Sequence, residues 1–136
     1  KGEKLILTPT YHVMEMYKVH QDALLLPLTI KSGDFISGNE KLPAVSASAS
    51  KDKNGITHIS IVNIDNKILQ DISIDISGIV QKSITGRILS SKNIQDHNTF
   101  ELPEKIKPTE FKQFSQTGNT IKIKLPPASV IVLELK

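Results

Sequence analysis

One short run, Gly38-Asn39-Glu40, has the residue types of an acid/base catalytic motif. Hydrolysis of a glycosidic bond needs a carboxylic acid and a carboxylate on the two sides of that bond, about 5 Å apart in retaining enzymes. An Asn-Glu pair with this task is typical of the end of a barrel strand. Here the pair lies in a polar loop with no apolar strand before it, and the chain has no tryptophan. We therefore predict that Glu40 is an exposed loop residue without a catalytic role.

The four histidines do not form a metal-binding motif. Metal sites use several ligands, often at short helical or turn spacing. His12 and His20 are eight residues apart in a predicted helix without an aligned acidic residue, and His58 and His97 are isolated in the sequence. We expect structural or surface roles for all four and assign no metal and no cofactor. The chain also has no glycine-rich phosphate loop.

The aromatic residues give little support to a sugar-binding surface, which is the natural functional alternative for a small β domain. Such surfaces present flat aromatic rings to sugar rings. The two tyrosines, Tyr11 and Tyr17, lie in the predicted helix. The phenylalanines are expected to belong to the core; they are Phe35, Phe100, Phe111 and Phe114. Sugar binding stays open as the alternative.

Charge and hydropathy restrict the class of partner. The 136 residues carry a formal net charge of +3, with 38% hydrophobic and 23% charged residues, which suits one globular domain. Arg87 is the only arginine, whereas nucleic-acid binders use arginine to contact phosphate and guanine, so we expect no nucleic-acid partner. Pro27 and Thr29 interrupt the longest apolar run, residues 24–30, so we expect no membrane partner. The chain has no cysteine, which suits a reducing compartment without requiring one.

The elements that would position these side chains begin with a single helix. Thr8 suits the N-cap and Pro9 the first helical position, so the pattern predicts a helix from Thr8 to about His20. Its apolar residues cover more than a narrow stripe, which is typical of a helix packed against a larger body; they are Tyr11, Val13, Met14, Met16, Tyr17 and Val19. We interpret the chain as a piece of a larger protein.

After Pro43 the apolar pattern has a period of two, which predicts β-strands. Valine and alanine alternate with serine in 44–50, and isoleucine alternates with aspartate and serine in 70–77. The Asn54-Gly55 turn predicts a hairpin between the first of these strands and the next. The other regular strands are predicted at 57–64, 83–90 and 120–125. Many short strands with close turn signals predict an antiparallel β-sandwich.

Other segments are less regular. Residues 33–39 are predicted as a loop that contains a short strand at Phe35, and 92–108 is typical of a long crossover on the surface. Residues 110–115 are predicted to add one strand. Residues 129–135 are nearly continuously apolar and are therefore predicted to form a central strand.

Three groups of residues occur together in one known family. The run LTPTYHVMEMYKVHQDA, residues 7–23, resembles the end of its catalytic barrel, and PAVSASAS with HISIVN, residues 43–50 and 58–63, resembles its first sandwich strands. The third group matches the rest of its C-terminal domain; it consists of GRIL at 86–89, HNTFE at 97–101, Pro103 and LPPASV at 125–130. The family is glycoside hydrolase family 51, the α-L-arabinofuranosidases. The resemblance covers nearly the whole chain.

The resemblance implies a (β/α)₈ barrel followed by a β-sandwich of the jelly-roll type. It implies a retaining mechanism that releases terminal α-L-arabinofuranosyl groups from arabinan, arabinoxylan and related oligosaccharides. The family's two catalytic glutamates are on barrel strands outside this chain, so no catalytic, cofactor-binding or metal-binding residue is carried over. Family members commonly form oligomers and bind no obligatory metal.

The same resemblance divides the chain. Residues 1–23 are expected to be the last helix of the missing catalytic barrel, and 24–136 the C-terminal β-sandwich domain. Tyr11, Met14 and Tyr17 are then expected to be core residues of a helix–barrel contact. The fold class is thus mainly β, an antiparallel sandwich preceded by one α-helix left over from the barrel.

Three functions are consistent with these residues. The first is a non-catalytic C-terminal domain that packs on the barrel of the same polypeptide and aids assembly of a homo-oligomer. The second is a carbohydrate-binding module that holds arabinose-containing polysaccharide. The third, a free-standing interaction domain, leaves the family runs unexplained. The absence of cysteine suits the cytoplasm, so we expect a cytoplasmic location. A periplasmic location is the alternative, because the N-terminus of the parent protein is not part of this sequence.

Overall fold

The computed structural model describes residue 2 and residues 5–136 of the chain, and its first regular element is a helix. Helix α1 (Pro9–Tyr17) is continued by a 3₁₀ turn (Lys18–His20). The Thr8 hydroxyl accepts a hydrogen bond from the Tyr11 backbone N–H at 3.2 Å, and proline occupies the helix start. The predicted N-cap is confirmed, and the predicted last turn is 3₁₀ rather than α-helical.

Eleven strands follow in the described residues. They are β1 (Leu24–Leu26), β2 (Asp34–Ser37), β3 (Glu40–Pro43), β4 (Val45–Lys51), β5 (Thr57–Asn63), β6 (Gln70–Asp75), β7 (Ile84–Ser90), β8 (Thr109–Glu110), β9 (Phe114–Thr117), β10 (Thr120–Leu125) and β11 (Ser129–Leu135). The strands predicted from period-two patterns are confirmed within one or two residues. Residues 91–108 contain no strand, as predicted, and are called the 91–108 loop below.

Most of the strands belong to two antiparallel sheets. Six strands form the larger sheet in the order β1-β4-β5-β11-β7-β8, and three form the smaller sheet in the order β6-β10-β9. Strands β2 and β3 pair only with each other. Strand β11 pairs with β5 along one side and with β7 along the other, so it is central, as its apolar sequence predicts.

The core lies between the two sheets. Alternate residues of each strand point inward, so one side of every strand is apolar. The buried core residues are Ala44, Val45, Ala49, Ile59, Ile61, Ile72, Ile76, Ile88, Phe111, Ile121, Ile123, Leu125, Ile131, Leu133 and Leu135. The prediction of a mainly β, antiparallel sandwich preceded by one α-helix is confirmed.

One prediction is confirmed in part and another is wrong in detail. The short strand predicted at Phe35 and Ile36 is β2, but the loop predicted after it is the turn of the hairpin β2–β3, because Gly38 adopts a positive φ of 60° and closes a tight turn with Asn39. The single strand predicted over 110–115 is divided between the sheets, with β8 in the larger and β9 in the smaller. Between them Phe111 is 3% exposed, so the segment crosses the core at that residue.

Gly86 of β7 lies where Phe111 approaches the larger sheet. A Cβ atom at Gly86 would lie 3.0 Å from Leu133 Cδ2 and 3.2 Å from Phe111 Cβ. The Phe111 backbone N–H also donates to the Gly86 carbonyl oxygen at 2.8 Å, so the backbone of residue 111 is held close to β7. The absence of a side chain at residue 86 is what lets the chain cross between the sheets there.

Substitution Gly86→Ala is expected to destabilise the chain by about 1–3 kcal/mol, because the new methyl group overpacks the contact with Phe111 and Leu133. Urea denaturation measures the change. The matched control is Gly33→Ala: no heavy atom lies within 4 Å of the position that its methyl group would occupy, so the change should stay within about 0.5 kcal/mol. Equal effects of the two substitutions would contradict the packing argument.

Candidate functional site

The side of the larger sheet that faces away from the smaller sheet, called the outer sheet face, is covered by α1 and the 3₁₀ turn. Met16 of α1 is 1% exposed and packs with Leu89 of β7, Val132 of β11 and Ile106 of the 91–108 loop. Burial of one such side chain stabilises by about 1.5–3 kcal/mol. The helix therefore packs on its own sandwich, a question that the sequence leaves open.

Hydrogen bonds between a histidine and two serines connect the end of the 3₁₀ turn to the larger sheet. The two ring nitrogens of His20 lie 2.6 Å from Ser50 Oγ (Nδ1) and 2.5 Å from Ser60 Oγ (Nε2). Ser50 and Ser60 are buried on the outer sheet face of β4 and β5. A neutral imidazole has one donor and one acceptor nitrogen, and each hydroxyl can take the complementary role. We call these three residues the His20 cluster.

The surroundings of the His20 cluster keep the ring neutral. Burial lowers the pKa of His20, and the nearby His58 lowers the pKa further. His58 is 4% exposed, and its Nε2 lies 3.3 Å from Asp52 Oδ2. Burial raises the pKa of Tyr17. The His20 cluster is a structural contact in which the His20 imidazole is the titratable group.

An ion pair fixes the middle of the helix. Arg87 Nη1 and Nη2 donate to Glu15 Oε1 at 3.1 Å and Oε2 at 2.8 Å, which is the bidentate geometry that arginine favours. This hydrogen bonding is the main cause of the lowered pKa of Glu15. Both side chains are partly exposed, so the pair is worth at most about 1 kcal/mol. Its main effect is to fix the rotation of α1 on the outer sheet face.

The opposite side of the helix is open. Tyr11 is 50% exposed and Met14 is 69% exposed. With Tyr17, Lys18 and Gln21 they border a shallow depression of about 440 Å³. We call this surface the outer helix face. The helix thus has apolar residues on two sides, and only the Met16 side is buried in this chain.

Among the described residues, Glu40, Asp71 and Asp75 are not arranged for glycosidic bond cleavage. Glu40 begins β3 and is exposed. Asp71 and Asp75 border a cavity of about 390 Å³ between β6 and residues 27–31. They are four residues apart on one extended strand, so their Cα atoms are separated by about 13 Å. Glycosidases place their two carboxyl groups about 5–9.5 Å apart.

The remaining residues considered from the sequence lie apart from one another. His12 stacks edge-to-face on Tyr11 with ring centroids 5.7 Å apart, and exposed His97 has its Nδ1 3.1 Å from the Gln95 carbonyl oxygen. Phe111 is buried, Phe35 and Phe114 pack partly buried against the core, and Phe100 is 42% exposed. Within the described residues, no three histidine, aspartate or glutamate side chains converge as metal ligands would.

Sequence reasoning missed the His20 cluster, because its members are 30 and 40 residues apart. The only available signal is the regular serine spacing in β4, which leaves a polar stripe on a sheet face that is otherwise covered. None of the helices in the described residues has the length and apolar character needed to cross a membrane.

Comparison with known proteins gives a consistent set of relatives. The family model described as "Alpha-L-arabinofuranosidase C-terminal domain" matches residues 1–129. An intracellular exo-α-L-arabinofuranosidase of Bacteroides ovatus is 42% identical over 137 residues, which is 100% of this chain and 27% of that protein. The chain thus spans about a quarter of the length of this relative.

Solved structures of arabinofuranosidases also match this chain. The arabinofuranosidase of glycoside hydrolase family 51 from Xanthomonas axonopodis pv. citri matches with a TM-score of 0.96 and 35% identity, over 100% of this chain and 28% of that one. The thermostable α-L-arabinofuranosidase of Thermotoga petrophila matches with a TM-score of 0.84 over 100% of this chain and 30% of that one. Its 23% identity supports the fold alone.

Acidification is expected to weaken the contact between helix and sheet. Because the folded pKa of His20 lies below its ordinary value of 6.5, the unfolded chain takes up a proton first as the pH falls. The contribution of His20 to stability is thus complete above pH 6.5 and decreases as the pH falls toward the folded pKa. In His20→Gln the free energy of unfolding, measured in urea, should fall less steeply below about pH 6.5 than in the wild type.

The control is His97→Gln, at an exposed histidine in the 91–108 loop. This variant should keep the wild-type dependence of stability on pH. If His20→Gln also keeps it, the His20 cluster does not carry the effect.

Proposed function

The chain belongs to the family of α-L-arabinofuranosidase C-terminal domains, and from this premise we propose that it is the non-catalytic β-sandwich of an enzyme that releases terminal α-L-arabinofuranosyl residues from arabinan- and arabinoxylan-type glycans. Its role is structural: it packs on the catalytic barrel of the same polypeptide and aids assembly. The proposal places the enzyme inside the cell, where the name of the Bacteroides ovatus relative places that protein.

The observation that carries the proposal is the outer helix face. Met16 already occupies the contact with the sandwich, yet Met14 and Tyr11 on the other side remain open. An apolar helix side that is open in one domain fits a second body. The relatives supply such a body, because this chain covers only 27–30% of their length. In the proposal, residues 1–23 are the last helix of the barrel and 24–136 the sandwich.

The positions of the carboxylates support the proposal that catalysis takes place in another part of the polypeptide. Asp71 and Asp75 are too far apart on β6 for glycosidic chemistry, and Glu40 stands exposed on a separate hairpin. The acid and the nucleophile of the proposed reaction therefore belong to the rest of the polypeptide. A sugar-binding role would need an exposed aromatic platform, and Phe100 alone among the phenylalanines is more than one-third exposed.

The purified chain is expected not to hydrolyse p-nitrophenyl α-L-arabinofuranoside, because Glu40, Asp71 and Asp75 are not placed as a catalytic pair, whereas the intact polypeptide should hydrolyse it. Release of p-nitrophenol measures both. The matched variant is Glu40→Gln in the intact polypeptide, which should keep full activity. Hydrolysis by the chain alone, lost on mutation of one of its own carboxylates, would refute the proposal.

Substitution Met14→Ala tests the barrel contact. Alanine keeps the helix and removes the side chain, so the isolated chain should keep its thermal midpoint. The intact polypeptide should lose about 1–3 kcal/mol, since burial of a methionine side chain is lost. The control is Val80→Ala, at a side chain that is 94% exposed in the segment between β6 and β7; it should change the stability of neither protein. An intact polypeptide as stable with Met14→Ala as with Val80→Ala would argue against the contact.

A further inference from the structure

The 91–108 loop has a fixed shape that comes from polar contacts rather than from a core of its own. The Asn98 side chain donates through Nδ2 to the carbonyl oxygens of Leu7 and Ile106, both at 2.8 Å, and accepts from the Ile106 backbone N–H at 2.7 Å. One amide thus joins two parts of the loop to the segment before α1. A side-chain amide that makes three hydrogen bonds, as Asn98 does, rigidifies a loop.

Four of the six charged side chains of the loop form two ion pairs within it. Lys105 Nζ lies 2.8 Å from Asp96 Oδ1, and Lys107 Nζ lies 2.7 Å from Glu104 Oε2. These hydrogen bonds are the main cause of the lowered pKa values of Asp96 and Glu104. The Ser91 hydroxyl donates to the second oxygen of the Asp96 carboxylate. The pairs cancel most of the charge of the loop, which suits a surface that another body covers.

Apolar side chains of the same rigid loop point to solvent. Phe100 is 42% exposed and Leu102 is 59% exposed, while Ile106 anchors the loop against Met16. Single exposed apolar residues need no explanation. Two of them within three residues, on a loop that the Asn98 hydrogen bonds hold in one shape, form a preorganised apolar surface, with exposed Glu101 between them in the sequence.

A groove lies next to this surface, between the loop and the segment that leads to α1. Leu5 and Leu7 of that segment are 83% and 38% exposed. They line the groove, which has a volume of about 450 Å³, together with Pro103 and Pro108 of the loop. The other residues that line it are His12, Arg87, Glu104 and Lys107, so the groove also borders α1 at the residue after Tyr11 of the outer helix face.

We propose that Phe100 and Leu102 of the 91–108 loop, with Leu5 and Leu7 of the neighbouring groove, form a second contact surface for the catalytic domain of the same polypeptide. The inference rests on the proposed function and extends it from the helix to the loop. The loop is then part of a domain interface, not the surface wrapping that the sequence predicts for it.

The size of the surface favours a tethered partner over a second copy of the chain. Specific complexes between separate molecules bury about 1,200–2,000 Å² in total. A few leucine and phenylalanine side chains supply less than that, since even a large aromatic side chain buries only about 150–250 Å². A partner on the same polypeptide has a high effective concentration, so a small surface next to the outer helix face is sufficient.

Amide hydrogen exchange tests the inference. We compare the isolated chain with the intact polypeptide that contains it and follow backbone amides of residues 99–102 and of α1. Exchange at 99–102 should be at least about tenfold slower in the intact polypeptide. If α1 is protected there and 99–102 is not, the loop contact is wrong and the proposed function stands. If neither is protected, the proposed function fails as well. Protection that appears in the isolated chain at high concentration would indicate a second copy and overturn the inference.

A matched pair of variants gives a second readout. Leu102→Ser should lower the thermal midpoint of the intact polypeptide by about 2–4 °C and leave the isolated chain unchanged, because the side chain is exposed there. Val80→Ser, in the segment between β6 and β7, should leave the thermal midpoints of both proteins unchanged. A loss in the isolated chain equal to that in the intact polypeptide would show a local effect and overturn the inference.

Discussion

Two strands at the centre of the larger sheet are buried on both sides, and this constraint determines most of the structure. The inward side chains of β5 and β11, such as Ile61 and Leu133, lie in the core between the sheets. The outward ones are buried too, since Ser60 is 0% and Val132 5% exposed. A sheet with two buried sides needs two covers. The smaller sheet is one of them, and α1, the 3₁₀ turn and the 91–108 loop form the other.

The contact of α1 and the 3₁₀ turn with the outer sheet face is apolar over β7 and β11 and polar over β4 and β5. The outward residues of these strands explain the difference. Over β7 and β11 the outward residues are Leu89 and Val132, so Met16 can pack there directly. Over β4 and β5 they include Ser50 and Ser60, whose hydroxyls would lose water without compensation beneath an apolar helix. His20 compensates for two of them at once and is itself kept neutral by burial. Serine is also small enough to let an imidazole ring approach the sheet closely.

The sequence predicts the parts of the fold that depend on local pattern. The alternation in β6, the continuous apolar run of β11 and the Thr8-Pro9 start of the helix are each a property of neighbouring residues, and each is confirmed. What the sequence does not reveal depends on distant partners. Residues 110–115 are divided between the two sheets because Phe111 fits against Gly86, which has no side chain. Gly86 is about 25 residues away along the chain, so this contact can be recognised only when the position of β7 is known. His20 likewise meets Ser50 and Ser60 only because β4 and β5 pair in register.

A helix with apolar residues on two sides is unfavourable where one side faces water, but it is suited to pack between two bodies. Its Met16 side is satisfied by the sandwich, and the Glu15–Arg87 ion pair fixes its rotation, so Tyr11 and Met14 are held outward in a defined orientation. A partner that binds a preorganised surface does not have to order it first, which lowers the cost of association. Loosening of the helix from the sheet would disturb both of its contacts together. The stability of the sandwich and the alignment of whatever packs on the outer helix face are therefore coupled through α1, and the Met16 contact and the His20 cluster are the interactions that set this coupling.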